Sequence, residues 1–257
     1  MLIYYIKRII NDKTKLLLII FILILPFSEI FFYLKNISMG GEVPKADFSC
    51  FLTGNTHGLR HVLQTVYLWF MPLYLLIITG DDCIEDYNSG YINLLISKTG
   101  KKRYYANNLI KGFVFSFLIV FISLFLNFIF VHILFFTPSS QNSCELLSTE
   151  TEFYKWTMSH TSLTNLIYIF LTSLIFGVTG MTENAMSIFF NNRKIVYPLE
   201  IILWLSALVC KKSIMLFIQP FTEYDITYAL DTFILYLLVN IVLTSVLIIL
   251  RIKYEKI

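Results

Sequence analysis

Long apolar runs separated by short polar segments dominate this chain. The runs lie at about 16–34, 62–80, 112–136, 163–182, 196–210 and 230–250. About 20 apolar residues in a helix cross the hydrocarbon core of a bilayer. The pattern therefore predicts an all-α polytopic membrane protein with six transmembrane helices in a single domain, residues 1–257. The fifth run is short, and we expect the apolar segment 214–218 to dip back towards the membrane and complete it.

The segment ahead of the first run is amphipathic. Charged residues, including Lys7 and Arg8, alternate there with apolar residues at helical spacing. This pattern predicts a helix over about residues 2–13 that lies in the plane of the lipid headgroups, although a frayed basic anchor would show similar charges. The apolar residues of the pattern are Leu2, Ile3, Ile6, Ile9 and Ile10.

Composition and charge narrow the class of protein further. Hydrophobic residues make up 57% of the chain and charged residues 14%, and the mean hydropathy is +0.71, which excludes an ordinary soluble globule. Positively charged loops stay in the cytoplasm, and most of the 20 lysines and arginines fall in segments on the side of the N-terminus. We therefore predict a multi-pass protein of a bacterial plasma membrane with both termini in the cytoplasm.

Candidate metal and nucleotide chemistry is sparse. The four cysteines show no metal-binding spacing, and we predict no metal site. Cys50 and Cys144 both fall in loops predicted to be external, where either a disulfide or two free thiols is expected. The chain contains no G-x-x-x-x-G-K-[ST] element, because Leu95 stands where the upstream glycine of Gly100-Lys101 would be. We expect no cofactor on this chain and no nucleic-acid partner.

The most distinctive polar segment, residues 81–111, follows the second run and is compatible with two mechanisms. Its acidic cluster could hold magnesium for a diphosphate substrate, as in membrane prenyl transferases, but Glu183 is the only acidic residue of the next cytoplasmic loop. Alternatively, the acidic residues start an amphipathic helix whose dipole they complement, followed by a basic segment. The acidic cluster is Asp81, Asp82, Glu85 and Asp86, and the apolar stripe is Ile84, Tyr87, Tyr91, Leu94 and Leu95.

This segment resembles the loop after the second span in the permease subunits of ATP-binding-cassette exporters of the second type, which include lantibiotic-immunity, bacitracin-resistance and multidrug-export permeases. That loop has an acidic residue, a glycine, a leucine-containing stretch, a break and a basic residue. The matching positions are Glu85, Gly90, Leu94, Leu95, Ser97, Lys101, Lys102, Arg103 and Lys111. The family's usual proline is absent, and Lys98-Thr99-Gly100 forms the break instead.

The resemblance implies that residues 84–97 form a coupling helix seated on a separate ATPase subunit. The implied coupling residues are Ile84, Glu85, Tyr87, Gly90, Tyr91, Leu94, Leu95 and Ser97. ATP and magnesium would bind to two copies of that ATPase, and a second permease subunit, in a homodimer, would help enclose the pathway. The implied function is non-enzymatic export of an amphipathic peptide, antibiotic or lipid. A magnesium-dependent prenyl- or lipid-modifying enzyme and a non-catalytic immunity protein are the alternatives.

Overall fold

A computed structural model describes residues 2–41, 43, 45–53, 59–135, 151–221 and 226–254. These residues form helices and connecting turns without any β-strand. The α-helices, in chain order, are α1 Leu2–Asn11, α2 Lys13–Ile24, α3 Phe27–Ser38, α4 Leu59–Leu75, α5 Asp81–Asn88, α6 Tyr91–Thr99, α7 Lys101–Leu134, α8 Glu152–Ser159, α9 Thr161–Phe190, α10 Arg193–Val209, α11 Ile214–Ile218 and α12 Ile226–Tyr254.

Four stretches of helix in the described residues are long and apolar enough to cross a membrane: His61–Asn88, Lys101–Leu134, Thr161–Phe190 and Ile226–Lys253. They contain the second, third, fourth and sixth predicted runs, apart from the end of the third run beyond Leu134. The protein is therefore an all-helical chain compatible with membrane insertion. Backbone polar groups can be satisfied within such helices even where lipid replaces water.

The first and fifth predicted spans differ from these four helices. The first run is divided between α2 and α3, which meet at a bend of 40°. Pro26 lies at this bend and has no backbone N–H to continue the helix. The fifth run corresponds to α10, which has 17 residues. The number of six spans stays a prediction.

The core of the bundle is built around the close packing of α7 against α9. Glycines permit this approach, since a Cβ on Gly112 would lie 2.4 Å from the carbonyl oxygen of Gly180. The short helix α11 packs into the same core through Ile214, Phe217 and Ile218, which are buried. The segment 214–218 is therefore a buried helix, and its return towards the membrane stays a prediction.

Three arginines bring distant parts of the chain together at one end of the bundle, which we call the charged end. Arg8 of α1, Arg193 of α10 and Arg251 of α12 all contact α5. The first helix and the last turns of α12 consequently lie at the same end of the bundle.

The opposite end is closed by the segment Ala46–Thr53. Asp47 accepts hydrogen bonds from Thr161 and Ser162 and contacts Nε2 of His132 at 3.0 Å. Cys50 is buried there, and its thiol donates to the carbonyl of Ala46. Cys144 lies outside the described residues, so the predicted disulfide stays a prediction.

Candidate functional site

A π-helical turn, Leu76–Gly80, joins α4 directly to α5. The extra residue in this turn rotates everything after it around the helix axis by about 100°. Gly80 packs tightly here, because a Cβ would lie 2.9 Å from the hydroxyl of Ser187 on α9. The acidic residues therefore lie within a continuous helix, not at a helix start, and the prediction that they complement a helix dipole is wrong. Their partners are side-chain cations.

Asp82 is the centre of a buried ion cluster. Its carboxylate is completely buried, and it pairs with Lys15 of α2 and Lys111 of α7, which are 3% and 1% exposed. Lys111 also lies over the ring of Tyr5, 4.6 Å from the ring centroid. Tyr5 in turn donates to Oδ1 of Asn108 at 3.1 Å, and burial raises the pKa of its hydroxyl. Four helices are thus tied together around one carboxylate.

Arg8 connects α1 to three carboxylates of α5. Its guanidinium lies 3.0 Å from Asp82, 3.1 Å from Glu85 and 2.6 Å from Asp86. Burial disfavours the charge of this guanidinium, but Asp82 and Asp86 outweigh burial and raise the pKa of Arg8. A planar guanidinium can bridge several carboxylates at once, so α1 is held against α5 in one orientation.

Arg193 completes the neutralisation of the acidic residues from the start of α10. It lies 2.6 Å from Glu85 and 3.2 Å from Asp81. We call the eight residues Arg8, Lys15, Asp81, Asp82, Glu85, Asp86, Lys111 and Arg193 the charge cluster. Its four carboxylates face four cations, and the described residues contain no group of acidic, histidine or cysteine side chains arranged for a metal ion. The hypothesis of a magnesium-dependent enzyme therefore finds no preformed metal site among these carboxylates.

The predicted single coupling helix over 84–97 is divided in two. α5 ends at Asn88, and Gly90 adopts a left-handed backbone conformation with φ of 73° before α6 begins. Left-handed conformations favour glycine because it lacks a Cβ. The result is a bent pair of short helices, α5 and α6, which we call the elbow.

The predicted coupling residues separate into outward-facing and inward-facing groups. Tyr87, Tyr91 and Leu94 are exposed by 44%, 38% and 58%. Ile84 is instead buried against residues of α9, α10 and α12, so its assignment to a docking face is corrected. Leu95 is partly buried and packs against the cluster that contains Tyr104 and Tyr105 of α7. The remaining predicted coupling residues, Glu85, Gly90 and Ser97, are exposed.

An open groove runs between α1 and the elbow. Its volume is about 430 Å³, and both polar and apolar side chains line it. The lining residues are Tyr4, Arg8, Asp86, Ser89, Gly90, Tyr91 and Leu94. An aromatic and leucine surface next to fixed charges has the composition of a protein interface.

Sequence reasoning missed the long-range partners of the acidic residues. The sequence pattern places Arg8 in the amphipathic helix, and Lys111 among the positions that match the permease loop. Glu183 was placed in a cytoplasmic loop, whereas it is fully buried within α9. The available signal was the cost of a lysine or carboxylate inside an apolar run, which requires an opposite charge nearby.

Comparison with known proteins identifies one relative over nearly the full length. The chain is 30% identical over 253 residues to the Bacillus subtilis (strain 168) protein named "Uncharacterized protein YybM", and the match covers 98% of each chain. No family model matches the sequence. No solved structure matches the chain.

Proposed function

This chain belongs to the same family as YybM of Bacillus subtilis, and we propose that it is the transmembrane permease subunit of an ATP-driven exporter in a bacterial plasma membrane. It would move an amphipathic peptide, antibiotic or lipid, with ATP hydrolysed on a separate ATPase subunit. The observation that carries this proposal is the elbow, whose exposed Tyr87, Tyr91 and Leu94 stand at the end of a continuous apolar helix.

The elbow is mechanically connected to the bundle in a way that suits coupling. Its first helix, α5, continues without interruption from α4 through the π-helical turn. Its second helix, α6, leads into α7 across a single residue, Gly100. A displacement of the elbow would therefore act on α4 and α7 together. The charge cluster would carry α1 and α2 along with them.

The exposed surface of the elbow also fits a protein partner better than it fits lipid. Apolar Tyr87, Tyr91 and Leu94 stand beside charged Glu85 and Lys98, which are exposed as well. Exposed aromatic residues surrounded by a polar rim are typical of protein interfaces. We place this surface in the cytoplasm, where an ATPase is available, together with both termini.

Co-purification tests the proposal. The protein is expressed with each ATP-binding-cassette ATPase encoded beside its gene, extracted in mild detergent and isolated through an affinity tag. We expect one ATPase to remain bound and to dissociate in the Leu94→Glu variant, because a carboxylate would enter an apolar contact. Leu94 is preferred to Leu95, whose substitution would also disturb the interior of the bundle.

Met39→Glu is the matched control, since Met39 is an exposed apolar residue near the end of α3. It should leave ATPase binding unchanged. If every neighbouring ATPase fails to bind the wild-type protein, the permease proposal is wrong, and the non-catalytic immunity protein becomes the better hypothesis. The assembly we expect contains two permease subunits and two ATPase subunits, which the mass of the purified complex would reveal.

A further inference from the structure

Two buried polar groups on α10 lack hydrogen-bond partners among the described residues. Glu200 is 3% exposed, and its Oε2 receives no hydrogen bond. Trp204, one helical turn later, is also 3% exposed, and its indole N–H donates to no acceptor. A buried acceptor or donor without a partner costs about 1–3 kcal/mol, and more when it is charged. Two such groups beside one another can bind a polar ligand.

Both residues line the same cavity, between α10 and α12. Its volume is about 170 Å³, and most of the residues that line it are apolar. A cavity of roughly 150 Å³ holds a single aromatic ring, so this one has room for a compact head group. Leu235 and Val239 line it from α12 and are 51% and 53% exposed, so the cavity reaches the apolar outer surface of that helix.

The local charges favour a cation in this cavity. Glu183 is fully buried on the adjoining helix α9, and neither of its oxygens has a hydrogen-bond partner among the described residues. No described cation pairs with either carboxylate. Lys212 also lines the cavity, but its ammonium lies 2.9 Å from Asp231 and is neutralised there.

The aromatic residues add a second source of attraction for a cation. Trp204 and Tyr236 both line the cavity, with their ring centroids 6.0 Å apart and their planes at 80°. Aromatic faces attract quaternary ammonium groups through their quadrupoles. The hydroxyl of Tyr236 is already hydrogen-bonded to the hydroxyl of Thr179 at 2.6 Å. The indole N–H of Trp204 therefore remains available to donate to a ligand.

We propose that this cavity binds the head group of a cationic amphiphile. The cationic nitrogen lies against Glu200, a neighbouring carbonyl or ether oxygen accepts from the indole N–H of Trp204, and the hydrocarbon chain leaves past Leu235 and Val239. As a substrate site, this inference rests on the proposed exporter function. Binding itself requires neither ATP nor an ATPase.

Lauroylcholine is a suitable probe, because it has a quaternary ammonium, an ester carbonyl and a hydrocarbon chain. Its uncharged isostere, 3,3-dimethylbutyl laurate, has carbon in place of the cationic nitrogen. The full-length Trp69→Phe/Trp156→Phe variant is purified in dodecyl maltoside, an uncharged detergent without an ammonium group. Trp204 is then the single remaining one of three tryptophans. Trp69 and Trp156 are exposed, so their replacement should be tolerated.

We expect lauroylcholine to change the fluorescence of Trp204 in a saturable manner and to bind at least about tenfold more tightly than the isostere. Glu200→Gln should remove this difference between the two probes. Glu152→Gln, which alters an exposed carboxylate on α8, should preserve it.

Equal affinities of the two probes for the unaltered site would overturn the proposal and identify an apolar groove for lipid chains. The absence of saturable binding, or full preference for the cation in Glu200→Gln, would overturn it as well. Should Glu200→Gln fail to fold, the comparison of the two probes on the protein with Glu200 intact still decides. If the cation site is wrong, the probe preference is lost but an ATPase still co-purifies. If the exporter function is wrong, no ATPase co-purifies but the probe still binds.

Discussion

The ammonium of Lys111 lies 3.4 Å from Oδ2 of Asp82, and the two side chains are 1% and 0% exposed. This contact joins α5 to α7 at the base of the elbow. The contribution of this ion pair to stability depends on burial. Removing one partner leaves the other charge incompletely paired in the protein interior, where water does not solvate it. It is therefore the contact through which the charge cluster can be tested most directly.

Lys111→Met should destabilise the protein. Lys15 and Arg8 still face Asp82 in this variant, so we expect a loss of about 1–3 kcal/mol, less than for a fully isolated buried charge. The loss would appear as a lower apparent melting temperature of the purified protein in detergent. Lys98→Met removes an exposed lysine from α6 and should stay within about 0.5 kcal/mol of the wild type. Equal melting temperatures for the two variants would contradict the importance of the charge cluster.

Arg8→Lys should loosen α1 while keeping its charge. A lysine ammonium cannot reproduce the simultaneous contacts of the guanidinium with Asp82, Glu85 and Asp86. We expect the backbone amides of α1 to exchange with solvent deuterium about tenfold faster, as measured by mass spectrometry. Lys7→Gln, at an exposed neighbouring position, serves as the control. Unchanged protection of α1 in Arg8→Lys would show that apolar contacts alone hold the helix.

Gly112→Ala should disrupt the packing of α7 on α9. The new Cβ would lie 1.9 Å from Nδ2 of Asn184 and 2.4 Å from the backbone oxygen of Gly180, so the helices must separate at a cost of about 1–3 kcal/mol. Gly177→Ala is the matched comparison in the same interface. There the nearest atom, in the ring of Phe113, lies 3.1 Å away.

The gain in helix propensity, about 1 kcal/mol, should offset most of the strain in Gly177→Ala. Melting curves of the two alanine variants provide the measurement. We expect Gly112→Ala to melt clearly below the wild type and Gly177→Ala to melt close to it. The reverse order would mean that α7 and α9 do not pack as closely as the structure indicates.

Cysteine labelling tests the predicted orientation. In a background with all four native cysteines changed to serine, Ser97→Cys places a thiol on the exposed surface of α6, and Ser159→Cys places one at the opposite end of the bundle. A membrane-impermeant maleimide should label Ser159→Cys in intact cells and Ser97→Cys only after the cells are opened. Labelling of Ser97→Cys in intact cells would place the elbow outside and contradict the coupling function.

The positions of the long helices could be predicted from hydropathy, because a run of apolar residues is a local property of the chain. Gly90 was visible as an interruption of the apolar stripe, although the segment 84–97 was still predicted to form a single coupling helix. The continuity of α4 with α5 was not visible, because no local pattern marks the π-helical turn that places Gly80 against Ser187 of α9. The burial of Ile84 followed from that same turn.

The sequence by itself determined that this protein is a set of apolar helices with amphipathic and charged segments near their ends. Helical hydrogen bonds join residues close together in the chain, and a long apolar segment avoids water regardless of which other segment it packs against. Only the tertiary structure decided which charges meet, because Asp82 lies 67 positions from Lys15 and 29 from Lys111 along the chain. The same holds for Glu200, which lines a cavity only because α10 and α12 both pack on α9 and leave a space between them.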